Sequence, residues 1–221
     1  MKRFAIILPL AAALSACGAI PEAAERQSVR RSTATATTVT RPETRQCLSN
    51  LGASRAAFSP LPDKYYGAGC SAVGAVQLSR LSSDSAALDI ANLGPVTCPL
   101  AETFAGWARF GVDRAARQIL GSRLVRIETF GSYACRNVEG TGRRSAHATA
   151  SAIDISGFVL ADGRRITVLD NWSEGTGNER EFLQAVHASA CKRFGTVLGP
   201  RYNAAHANHL HVELSGTGFC R

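Results

Sequence analysis

Four of the five histidines in this 221-residue chain fall in two short segments. The first reads Arg143-Arg144-Ser145-Ala146-His147-Ala148-Thr149-Ala150-Ser151-Ala152-Ile153-Asp154, and the second reads His206-Ala207-Asn208-His209-Leu210-His211. Side chains at i and i+2 of a strand share a face, so His209 and His211 would both point into one cleft. Joined by a third histidine and a carboxylate from the first segment, they make the N/O donor set that zinc accepts. A catalytic zinc needs three protein ligands and an open place for water. It polarises a carbonyl and lowers the pKa of water toward neutrality, which is hydrolytic chemistry. A lone strand histidine is more often structural, and His187, set among Val186, Ala188 and Ala190, reads as a packed or surface histidine of that kind.

The elements that must hold these residues are legible around them. Residues 100–120 carry Phe104, Trp107, Phe110, Ala115 and Ile119 among Arg and Gln, a helical pattern closed by Gly121. Residues 124–130 alternate as a strand does. Residues 152–159 and 165–169 are apolar runs joined through Asp162-Gly163, a tight-hairpin dipeptide. A second helix is expected over 179–194, with Phe182, Leu183, Val186, Ala190 and Phe194 on one side, ending at Gly195. Residues 209–214 alternate as a last strand. Helices before and between antiparallel strands predict an α+β domain, with helices on one face of a small antiparallel sheet. Tyr133 is expected in the core; Trp172 either edges the cleft or caps the core.

Composition and charge exclude other classes. With 45% hydrophobic and 19% charged residues the chain is neither disordered nor fibrous. Residues 1–16 read as a leader: Met-Lys-Arg-Phe, an apolar run too short to span a membrane, then Ser15-Ala16 before Cys17. Leu14-Ser15-Ala16-Cys17 resembles the lipobox of bacterial lipoproteins, which implies a lipid anchor on Cys17. Ordinary cleavage leaving Cys17 free is the alternative. Gly18, where an Asp would retain a lipoprotein at the inner membrane, implies the periplasmic face of the outer membrane by the same resemblance. Residues 17–45 are small and polar and are expected to form a tether with a reach of about 30 Å; residues 46–221 then form one domain, expected to be a monomer.

Of seven cysteines, six remain: Cys47, Cys70, Cys98, Cys135, Cys191 and Cys220. An even number in an exported chain implies three disulfides, with 15 possible pairings; the preferred ones are Cys47–Cys70 and Cys191–Cys220. No Cys-x-x-Cys pair is present, which argues against zinc on thiolates. The formal charge of +8 falls to +6 once Lys2 and Arg3 leave with the leader. Spread along an exported chain without aromatic-basic interleaving, it does not indicate nucleic acid.

Ser145-x-His147-x6-Asp154 followed by His209-x-His211 resembles the active-site signature of the zinc peptidase superfamily of lysostaphin-type enzymes, D-Ala-D-Ala metallopeptidases and the hedgehog domain. The first motif there is Ser-x-His-x-x-Gly-x-Ala-x-Asp; Ser145, His147, Ala152 and Asp154 match, and Ala150 replaces the Gly, so that a left-handed backbone there would fall on an alanine. The resemblance implies zinc on His147, Asp154 and His211, with His209 as base or electrostatic helper. His206 has the spacing of a further active-site histidine in penicillin-insensitive murein endopeptidases. Arg136 resembles the arginine before the first zinc motif in D-Ala-D-Ala peptidases, where its fork suits a peptide carboxylate; pairing with an acidic neighbour is the structural alternative.

A fuller likeness, over roughly residues 47–220, is to the bacterial extensin-like C-terminal domain family. It rests on Cys98, Trp107, Gly131-Ser132-Tyr133-Ala134-Cys135-Arg136, Asp162-Gly163-Arg164, Ala190-Cys191, Val197-Leu198-Gly199-Pro200 and the histidine motifs. Together the resemblances imply a hedgehog or D-Ala-D-Ala-peptidase-like fold and a Zn2+-dependent peptidase acting on peptidoglycan. The alternative is a zinc-containing wall-binding or envelope-organising lipoprotein without catalysis.

Overall fold

Helix formation begins where tether was expected to continue. Pro42, pre-set for a first helical turn, opens helix α1 (Pro42–Ala53), Glu43 faces its positive end, and Cys47 and Leu51, one turn apart, are its buried residues. The computed structural model describes residues 41–221. The leader 1–16, Cys17 and the tether up to residue 40 lie outside the described residues. Among the described residues no helix is long and apolar enough to cross a membrane.

After α1 come six strands: β1 (Ala57–Pro60), β2 (Lys64–Gly67), β3 (Cys70–Ala72), β4 (Ala75–Ser82), β5 (Ala87–Ala91) and β6 (Val96–Thr97). The predicted helix over 100–120 is α2 (Cys98–Trp107), a π-helical turn (Ala108–Asp113) and α3 (Arg114–Leu120), ended by Gly121 in the left-handed region at φ 69°. Strand β7 (Leu124–Gly131) follows, then β8 (Ala152–Leu160) and β9 (Arg165–Thr167), antiparallel as expected. The apolar run after β9 is not strand to its end: Val168–Asn171 is a short helix, α4, and Leu169 is exposed. Helix α5 (Gly177–Cys191) starts two residues early, because Thr176 and Glu179 form a reciprocal capping box, and it stops before Phe194. Strands β10 (Thr196–Leu198), β11 (Leu210–Glu213) and β12 (Phe219–Cys220) complete the chain.

The sheet corrects the expected architecture. It has ten strands, not few, in the order β1-β4-β5-β7-β8-β11-β10-β12 with β6 on β4 and β9 on β8; β2 and β3 form a separate pair. It is mixed: β5–β7 and β10–β12 are parallel. Residues 57–97 supply six strands that the sequence reading lacked, and β10 and β12 are two more.

One buried cluster unites strands and helices. Trp107, Phe158, Phe182 and Phe194 interlock at its centre, with ring centroids 5.3 Å apart for Phe158–Phe182 and 6.1 Å for Trp107–Phe194. Burying each such ring is worth roughly 1.5–3 kcal/mol. The Trp107 indole N–H donates to the Val186 carbonyl (3.3 Å), which satisfies its polar atom. Gly111 lets α5 approach: a Cβ there would stand 3.2 Å from Ser189 Cβ of that helix. Trp172 packs on this cluster rather than on the histidine cleft.

The disulfides are Cys47–Cys98, Cys70–Cys135 and Cys191–Cys220. The last pair is the expected one; Cys47–Cys70 is not formed. Cys47 faces the start of the neighbouring helix α2 and Cys70 lies on β3 beside the segment after β7, contacts that spacing does not reveal.

Candidate metal centre

Period-2 alternation places the site. In β8, Ile153 and Ile155 enter the core with the helices, so Asp154 between them projects to the other side. In β11, Leu210 and Val212 do the same, so His211 and Glu213 share the face of Asp154. The antiparallel register sets His211 directly opposite Asp154. His147 comes from outside the sheet, on a 3-10 turn (Ala146–Thr149) whose start is capped by the Ser145 side chain. That turn ends at Ala150 with φ 54° and ψ 28°. The position where the resembling motif has Gly is left-handed here, and a buried alanine bears it, packed with Ala72, Ala75 and Tyr133. Tyr133 is thus half-buried packing, as expected of a core residue, and its hydroxyl has no hydrogen-bond partner among the described residues.

His147, Asp154 and His211 converge. Their donor atoms all lie within 4.8 Å of one another. His147 Nε2 is 3.1 Å from Asp154 Oδ2 and 3.1 Å from His211 Nδ1, and His211 Nδ1 is 2.9 Å from Asp154 Oδ1. Tetrahedral zinc ligands at about 2.0–2.2 Å stand roughly 3.3–3.6 Å from one another, close to these separations.

The outer partners fix which lone pairs face inward. A carbonyl only accepts, so His147 Nδ1 carries a hydrogen and donates it to Ser132 O (3.1 Å), leaving Nε2 as an acceptor. His211 Nε2 faces Glu213 Oε2 at 3.4 Å, which directs its Nδ1 lone pair toward Asp154. Three acceptors this close coexist only with a cation or a proton between them. The electrostatics agree. Burial opposes charge on Asp154, yet its close pairing with the His147 and His211 rings holds its carboxyl well below the usual range. Burial likewise opposes protonation of His211, yet Asp154 and Glu213 push it up to about 9. The residues therefore fit a divalent cation with N/O preference.

His209 and His206 border this group. His209 Nε2 is 3.5 Å from Asp154 Oδ1, and its Nδ1 donates to Asn208 Oδ1 (2.8 Å). His206 Nδ1 donates to Asn203 Oδ1 (2.6 Å), and its ring centroid is 5.0 Å from that of His209. Burial, reinforced by His209 and His211, pulls His206 down to about 4; burial also lowers His209, against the pull of Asp154. Both are neutral at pH 7, with Nε2 able to take a proton.

A cleft of about 1100 Å3 opens onto His206, His209 and His211 and is also lined by Arg136, Arg143 and Tyr202. The Arg136 side chain forms no ion pair among the described residues, so the acidic-neighbour alternative does not hold. Glu213 was missed in the sequence reading. The alternation His209-x-His211-x-Glu213 contains it, since a strand that shows two site histidines shows the next alternate residue too. Ser132 could not be found this way, because it acts through its backbone carbonyl.

A second group of metal-ligand type, His187 with Cys191 and Cys220, lies elsewhere. Its sulfurs are joined as a disulfide, and His187 is buried, with Nε2 3.3 Å from the Arg221 carbonyl. Of the two readings, packed or surface, it is the packed one.

A family model described as extensin-like protein C-terminus matches residues 45–221. The chain belongs to this extensin-like family. Comparison with curated proteins and with solved structures finds no match. In this extensin-like domain the matched region begins just inside α1 and includes all of the site residues.

Proposed function

We propose that the protein is a zinc-dependent peptidase acting on peptide bonds of cell-wall peptidoglycan, held by lipid on Cys17 at the periplasmic face of the outer membrane. The observation that carries this reading is the meeting of His147 Nε2, Asp154 and His211 Nδ1, lone pairs inward, at the foot of an open cleft. The reading includes a fold likeness to hedgehog and D-Ala-D-Ala peptidases. His147, Asp154 and His211 would hold zinc, two neutral imidazoles and one carboxylate leaving net charge +1 on the group. Bound zinc supplies Lewis acidity that polarises a scissile carbonyl and makes water a nucleophile at neutral pH. The rest falls to the chain. His209, its Nδ1–H pinned by Asn208, accepts the proton of the attacking water at Nε2. His206, pinned by Asn203, provides a second neutral imidazole beside the leaving group.

The test is direct. Purified mature protein binds about one zinc per chain and releases soluble muropeptides from sacculi, and His147→Ala or His211→Ala abolishes both. Zinc-replete protein inert on all crosslinked wall substrates would leave the non-catalytic wall-binding lipoprotein as the reading. Cys17→Ser moves the protein from the membrane to the soluble fraction if the anchor is correct.

A further inference from the structure

Five aromatic rings follow one another past the metal ligands. Phe130 meets His209 with ring centroids 5.9 Å apart, His209 meets His206 at 5.0 Å, His206 meets Tyr202 at 5.4 Å, and Tyr202 meets Phe219 at 5.7 Å. The last four line the cleft, and Phe130 carries the row beyond it. The ends of the row are open: Phe130 is 59% exposed, Tyr202 44% and Phe219 46%. Burying such a ring is worth roughly 1.5–3 kcal/mol, so three gathered in water beside one cleft mark a binding surface. Exposed rings elsewhere are covered in part by their own neighbours. The Arg109 and Arg114 guanidiniums lie 4.9 Å and 4.7 Å from the Phe110 centroid, and Tyr66 packs on Tyr133 at 5.1 Å. In the row only Phe219 has such a cover, the Arg221 guanidinium at 5.7 Å.

The fold fixes each ring. The register of β7 on β8 shifts between Thr129 and Gly131, so Phe130 is the extra residue of a bulge, and with Thr129 buried its phenyl turns outward. Tyr202 N–H donates to the Gly199 carbonyl (2.8 Å), Phe219 N–H donates to the Gly195 carbonyl (3.0 Å), and Cys220 beside it is bonded to Cys191. Rings held in this way lose little freedom on binding. Between its ends the row is polar. Asn203 and Asn208 each spend Oδ1 on a histidine N–H, which leaves their amide hydrogens to donate to a ligand. A lipid tail or an apolar protein face would cover these amides and imidazoles without pairing them. A pyranose ring satisfies both kinds of neighbour: its C–H bonds meet the negative face of an aromatic ring, and the oxygens at its rim accept from the amides.

We infer that Phe130, Tyr202 and Phe219, with His206 and His209 between them, form a saccharide-binding track, so that the protein grips the sugar strand of its substrate. That this strand belongs to the cell wall rests on the reading above, and the experiment separates the two. The purified protein is titrated calorimetrically, in chelator, with the β-1,4-linked tetramer of N-acetylglucosamine and with wall glycan strands stripped of their stem peptides. Muropeptide release from sacculi by zinc-loaded protein is measured in parallel. Wild type should bind both saccharides. Phe130→Leu/Tyr202→Leu/Phe219→Leu, which keeps apolar bulk and removes the aromatic faces, should bind them about tenfold more weakly. Tyr65→Leu/Phe110→Leu, at exposed rings outside the row, should bind as wild type does.

Wild type without affinity for either saccharide overturns the inference, whether or not the triple variant folds. So does affinity that survives in the triple variant, or affinity lost equally in the control, which would make it general adhesion. Muropeptide release without saccharide affinity overturns the track and leaves the peptidase standing. Saccharide affinity that follows the three rings, without any muropeptide release, supports the track and refutes the peptidase.

Discussion

Among the described residues two clusters hold the side chains that metals favour, and they differ in what their donor atoms face. His187, Cys191 and Cys220 gather near the C-terminal end of α5 and at β12, with sulfur to ring-nitrogen distances of 3.8 Å and 4.0 Å. By residue type this is the better zinc set, since thiolates bind zinc strongly. The disulfide uses both sulfurs, and the imidazole is turned to a backbone carbonyl. His147, Asp154 and His211 have no such internal solution. Their outer nitrogens are engaged by Ser132 and Glu213, and their inner atoms face one another. The clusters differ in where the lone pairs are spent, and the partners of the outer ring nitrogens separate a group whose donors remain free to face a cation from a structural knot.

Exchange of single residues between the two clusters should give opposite readouts. The largest effect is expected at Asp154 or His211: replacement by Ala should remove zinc altogether, read as metal per chain after dialysis. His187→Ala should leave about one zinc per chain and cost about 1–3 kcal/mol of stability in thermal or denaturant unfolding. Next in size, Cys191→Ser/Cys220→Ser opens a link between residues 29 apart, and chain entropy puts the loss at about 3–4 kcal/mol. Zinc content should not change. If it falls to zero in this variant, the two clusters are not independent and the comparison breaks.

The same contrast explains how much could be read from sequence. Strand periodicity made His209 and His211 neighbours; β7 and α5 were legible because their apolar residues follow a period, and β8 and β9 because they are apolar runs joined through Asp162-Gly163. The six strands of residues 57–97 were not. Exposure patterns such as Lys64–Gly67, open at every position, and the two buried residues in a row that begin β4 carry no period-2 signal. Four of those strands, β1, β4, β5 and β6, enlarge the sheet, and β5, parallel to β7, joins them to it; β2 and β3 stand apart. Cys47 and Cys70 looked like partners only because those strands were unseen. In the site, residue types revealed ligands, while the carbonyl of Ser132 depends on backbone path, which composition does not encode.

Smaller changes should sharpen the comparison further. Glu213 touches no substrate in the proposed scheme and acts through His211. Glu213→Gln keeps an acceptor for the His211 Nε2–H but removes the charge, so zinc affinity should fall about tenfold; Glu213→Ala removes both, and the loss should approach a hundredfold. Competition with a chromogenic chelator measures each. Unchanged affinity in both would mean that the Nδ1 lone pair is aimed by the strand alone.

The smallest effect is expected at Ala150. Its left-handed backbone costs an L-residue about 1–2 kcal/mol, which Gly would relieve. Gly would also gain freedom in the unfolded chain, at about 0.5–1 kcal/mol, and would lose the methyl contact with Tyr133, Ala72 and Ala75, worth about 0.8 kcal/mol. These opposing terms nearly cancel, so Ala150→Gly should shift stability by less than about 1 kcal/mol and leave zinc affinity unchanged. The backbone on either side is tied: the Ala150 carbonyl accepts from Thr97 N (2.9 Å) and its N–H donates to the His147 carbonyl (3.2 Å). If zinc affinity drops in this variant while stability holds, the alanine methyl is positioning the His147 turn, and the site depends on packing behind it as well as on the partners of its rings.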